Sequence, residues 1–97
     1  MSQPPPDTPN FDSLGHERNR AFTVWIFLRS HHGDWYNSEE IATSTGLAES
    51  TVQSALSRIF GLPIVMRPRI HRRVVEDETG QRKEYKFQRI IRIIFDE

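Results

Sequence analysis

The chain has no cysteine, which rules out disulfide staples, thiolate metal sites and thiol redox sensing. It also lacks any apolar run near the roughly 18 residues that a membrane-spanning helix needs, so no membrane role is expected. The amino-terminal MSQPPPDTPNFD has no basic stretch followed by an apolar one and does not read as a secretory signal; a cytoplasmic or nucleoid location is the expectation. Histidines are badly spaced for a metal, because His31 and His32 are adjacent and point in different directions, and Asp34 beside them completes no known ligand set. A phosphate-cradling glycine loop is missing, no nucleophile–base pair is suggested by spacing, and the acids are scattered. Neither catalysis nor a cofactor or small-molecule ligand is therefore expected. A chain of 97 residues buries one modest core, so its function is expected to sit on a surface.

Net charge is absent as well, since 13 basic residues balance 13 acidic ones. Evenly mixed, that balance would argue against a nucleic-acid partner, but the charges are divided. Residues 1–57 hold three basic residues (Arg18, Arg20, Arg29) against seven acidic, whereas residues 58–92 hold ten basic against four acidic. Such asymmetry is a better guide to partners than the sum.

Residues 1–13, with Pro4, Pro5, Pro6 and Pro9 and little to bury, read as a disordered tail ahead of one domain over 14–97. A first helix is expected over about 14–31, with Ala21, Val24, Trp25 and Leu28 in a helical stripe. Ile26 and Phe27 fall off that stripe, so either the core wraps this helix or a second copy covers it. Trp35-Tyr36 is expected to add an edge strand or pack against the hairpin. Asn37 with Glu40 is a capping-box pattern that starts a short second helix, ended near Thr45 by Gly46. From Glu49 the apolar positions Val52, Ala55, Leu56, Ile59 and Phe60 give a third helix with one buried stripe, stopped by Gly61 and Pro63. Segments 64–76 and 82–94, rich in β-branched and aromatic residues, read as a β-hairpin about 77–81, its base formed by Ile64, Val65 and Met66 against Ile91, Ile93 and Ile94. The rival for 88–95 is a fourth helix.

Short helix, glycine turn, striped helix is a helix-turn-helix arrangement. Ile41-Ala42, Gly46-Leu47, Val52 and Leu56 resemble the signature of winged-helix transcription regulators, and RRVVEDETGQRKEYKF resembles the wing of MarR-type and TrmB-type members. The likeness covers about Arg20 to Phe87. Ala48 departs from it, standing where a capping serine is common, and there is no room for the long dimerisation helices of MarR-type proteins. The resemblance implies an α+β fold, a small winged helix of three helices and a long hairpin wing. It implies a partner, double-stranded DNA, with the third helix in the major groove and the hairpin on the backbone or in the minor groove.

The same resemblance explains a peculiarity of IATSTGLAESTVQSALSRI, residues 41–59, which carries four serines and three threonines although hydroxyls compete for the backbone in helices. Short hydroxyl side chains let a recognition helix approach closely, so Ser50, Thr51, Gln53, Ser54, Ser57 and Arg58 are its candidate contacts, Gln53 suited to adenine and Arg58 to guanine or a phosphate. Arg67, Arg69, His71, Arg72, Arg73, Arg82, Lys83 and Lys86 are the candidate wing contacts to phosphates. Phe27 with Ile91 and Ile93 are candidates for a symmetric homodimer contact, plain core burial being the alternative. Two other function classes stand beside a small transcription regulator: a winged-helix protein adaptor, and a nucleoid-architectural protein without sequence preference.

Overall fold

Gly15, at φ +61°, separates two helical pieces where the sequence suggested one. In the computed structural model, which describes residues 8–63 and 69–88, Asp12–Glu17 is a 3-10 turn and the first helix proper, α1, spans Arg18–Ser30. Phe11, assigned by composition to the tail, is 5% exposed and belongs to the core. A strand of two residues follows, β1 (Tyr36–Asn37), then α2 (Ser38–Thr45) and α3 (Glu49–Phe60). The hairpin is β2 (Ile70–Asp77) and β3 (Gly80–Phe87). Among the described residues the molecule is thus α+β, with three α-helices and one antiparallel sheet of order β1-β3-β2.

The local chemistry that sets these boundaries is visible. Asn37 Oδ1 accepts from Glu40 N (2.8 Å) and Glu40 Oε1 accepts from Asn37 N (2.9 Å), the reciprocal capping box expected at the start of α2. Gly46, at φ +79°, ends that helix in the left-handed conformation, its N–H donating to Ala42 O. α3 has no side-chain cap, because Ala48 occupies the N-cap position with extended backbone.

One core joins all elements. Val24, Trp25 and Leu28 of α1, Ile41 of α2, Val52, Leu56 and Ile59 of α3, and Phe87 of β3 are essentially inaccessible; each such side chain contributes about 1.5–3 kcal/mol on burial. Trp25 meets Phe87 edge-on with centroids 6.0 Å apart. Its indole N–H finds no acceptor among the described residues. Phe27 is covered by its own chain: it stacks on His31 (4.3 Å) and meets Tyr36 edge-on (5.0 Å), so the core wraps α1 at this point.

Hairpin register decides which side chains face the helices. Folding the two arms symmetrically about 77–81 would oppose Glu76 to Arg82, but the observed register opposes Glu76 to Gln81 and Asp77 to Gly80. Glu78 and Thr79 alone form the loop. Neither has positive φ, so Gly80 (φ +117°) takes the backbone twist that a primed turn would otherwise supply. Ile70, Tyr85 and Phe87 lie on the helix-facing side and are buried. Arg67, Ile91 and Ile93, the expected hairpin base and the strand-or-helix choice beyond Gln88 lie outside the described residues.

Candidate nucleic-acid interface

On α3, Ser50, Gln53, Ser54, Ser57 and Arg58 are exposed as the stripe required, whereas Thr51 is half-buried beside Val52. Gln53, the expected long reader at this surface, is not free. Glu49, in the first turn of α3, accepts from Ser38 Oγ (3.0 Å) and from Gln53 Nε2 (3.4 Å), and the same Gln53 amide lies 3.4 Å from Ser38 Oγ. This network ties the starts of α2 and α3 together and presets the Gln53 amide. It also places a carboxylate beside the group expected to read a base.

The hairpin has two unlike faces. Its helix-facing side and α3 enclose an open groove of about 790 Å³, lined by Gln53 and Ser57 from α3 and by Arg72, Val74 and Lys83 from the strands, with Glu39 and Glu49 at one side. The Arg72 guanidinium sits 4.8 Å over the Phe60 ring. Tyr85, below it, has its phenol pushed up by burial, opposed by the Arg72 charge. Arg58 and Lys83 have no ion pair among the described residues.

The opposite face is internally neutralised. Glu84 is 8% exposed and one of its oxygens accepts from both Arg73 Nε (2.9 Å) and Arg73 Nη2 (2.7 Å), while the other lies 3.4 Å from Arg82 Nε. The Arg73 hydrogen bonds hold its carboxyl below the usual range, against the opposing effect of desolvation. Arg82 also pairs with Asp77, whose carboxyl is lowered chiefly by its hydrogen bonds from Thr79 and further by Arg82. Arg73 and Lys86 flank the Trp35 ring, at 4.2 and 4.7 Å from its centroid. At the tip, Glu76, Asp77 and Glu78 are exposed acids.

The expected wing cations therefore divide. Arg72 and Lys83 line the groove with α3. Arg69 and His71 are exposed. Arg73 and Arg82 pair with acids of the hairpin, Arg82 also lining the groove, and Lys86 lies over the Trp35 ring. Sequence reasoning missed the roles of Trp35 and Glu84 in this; the available signal was that Glu84 is the lone acid within RKEYK, and an acid among cations in a strand is a ready ion-pair partner.

No family model matches the chain, and no curated protein or solved structure matches it.

Proposed function

We propose that the protein is a small winged-helix regulator that binds double-stranded DNA, α3 entering the major groove and the hairpin lying along the phosphate backbone. The observation that carries this reading is the shared groove: exposed Gln53 and Ser57 of α3 and the hairpin cations Arg72 and Lys83 face one concavity. A helix with small polar side chains can approach base edges closely, and flanking cations release counterions from the phosphates they neutralise. The acidic tip argues against minor-groove insertion, where the negative potential would repel Glu76, Asp77 and Glu78, and leaves phosphate contact to Arg72 and Lys83 away from the tip.

Variants test this. Replacing both Arg72 and Lys83 with alanine should weaken duplex binding and reduce the magnitude of the salt slope by about 2, roughly one unit for each phosphate that no longer has a cation beside it. Arg73→Ala, which removes a cation already paired with Glu84, should change that slope far less. Equal slopes in all three proteins would refute the assignment of the groove.

A protein-docking function has one observation in its favour: Glu39 and Glu49 line the same groove, and Val74 within it is 55% exposed. Absence of duplex binding at low salt would leave this reading standing. Equal affinity for unrelated duplexes would instead favour an architectural protein.

A further inference from the structure

Among the described residues β2 is an edge strand, because β3 lies between it and β1. The hydrogen bond from Gln88 N to Arg69 O (2.9 Å) continues the β2–β3 register by one pair, and hydrogen-bonded and non-hydrogen-bonded pairs alternate from there. His71, Arg73, Val75 and Asp77 therefore direct their backbone N–H and C=O groups to β3. Ile70, Arg72, Val74 and Glu76 direct theirs outward, and none of these groups bonds another described residue. Val74, at the middle of this edge, is the one large hydrophobic residue that is exposed among the described residues.

We infer that β2 pairs antiparallel with β2 of a second copy of this chain, with Val74 opposite Val74 on the twofold axis. Outward backbone groups must oppose outward groups, which restricts the register to pairings among Ile70, Arg72, Val74 and Glu76. Centring on Val74 sets Arg72 opposite Glu76 on both sides of the axis and Arg73 opposite Val75, so that one pair of opposite charges meets on each side and no like charges are opposed. Centring on Arg73 would instead oppose Val74 to Arg72 and Glu76 to Ile70. Edges are commonly protected by charges that repel a copy; here the charges are arranged about Val74 so that they attract one. Glu76 is already oriented by Gln81 Nε2 at 2.7 Å. A twofold axis perpendicular to the sheet keeps the helix-packed face on one side, so both α3 helices lie on the same side of a continuous six-stranded sheet.

The test is the mass of the full chain in solution at low and high protein concentration, read by light scattering without DNA, so its outcome is separate from that of the DNA reading. The wild type should reach twice the 11.4 kDa of one chain. Val74→Pro removes an outward N–H and no bond to β3, at the cost of a fixed φ, and Glu76→Arg sets like charges opposite Arg72; both should be monomers. Arg72→Glu combined with Glu76→Arg restores opposite charges and should restore the dimer, which keeps the test decisive even if Val74→Pro fails to fold by circular dichroism. In the dimer, amide exchange should slow at Arg72, Val74 and Glu76 as concentration rises. A wild type that is monomeric at every concentration, a dimer that survives both Glu76→Arg and Val74→Pro, or failure of the double variant to recover would each overturn the inference.

Discussion

At the scale of single residues, Glu84 does the most to shape the hairpin. Its carboxylate gathers Arg73 and Arg82 on the outer face, and the Arg73 guanidinium in turn sits 4.2 Å over the Trp35 ring. Replacing Glu84 with glutamine leaves the Arg73 guanidinium without a counter-charge, while Arg82 keeps Asp77. Because Arg73 is half-exposed, the cost should be modest, about 1 kcal/mol at neutral pH, measurable by urea unfolding. The pH dependence has a definite sign. The folded-state pKa of Glu84 is depressed, so its stabilising contribution is complete above the ordinary value of 4.5 and is lost as pH falls through the folded value. The wild type should lose stability across that acid range more steeply than Glu84→Gln; parallel curves would show that the ion pair contributes nothing to folding.

At the scale of elements, the helices are governed by their ends. α2 has a complete capping box and α3 has none, so the two make opposite predictions. Asn37→Ala should destabilise by about 1 kcal/mol, since it frees a donor at the start of α2. Ala48→Ser should stabilise by about 0.5–1 kcal/mol, because Ala48 already has the extended N-cap backbone and lacks only the acceptor. Thermal unfolding of the two variants checks both. These helix features were legible in the sequence because they depend on neighbours three or four residues apart: Asn37 with Glu40, Gly46 after Thr45, and the stripe from Val52 to Ile59. The first helix begins at Arg18, later than the apolar pattern predicts, because Gly15 breaks it. The bonds from Ser38 to Glu49 and Gln53 and the pairing of Glu84 with Arg73 are not legible locally, since they join residues 11 to 15 positions apart through tertiary packing. Register was equally out of reach, because Gly80 shortened the loop to two residues and no local pattern announced it.

At the scale of the whole molecule, the organising feature is the division of charge. The helical half is acidic and the hairpin half basic, yet much of the hairpin's positive charge is neutralised on the face away from α3. Among the described residues, the exposed arginines and lysines of α3 and the hairpin without a carboxylate partner are Arg58 on α3 with Arg69, Arg72 and Lys83 on the hairpin, the half-buried Lys86 lying over Trp35. That set makes the proposed interface specific in position and modest in charge. About four phosphate contacts correspond to a slope near −3.6 in log affinity against log salt. Adding Lys83→Ala to Arg72→Ala should halve that slope, whereas neutralising Arg73 should not.

The most direct measurement is fluorescence anisotropy of the full chain with a labelled mixed-sequence duplex at about 50 and 200 mM salt, where a slope of that size lowers affinity by roughly two orders of magnitude. Binding at the lower salt that weakens by about this factor is the result predicted for a DNA-facing groove. No binding at the lower salt, or binding indifferent to salt, would contradict it.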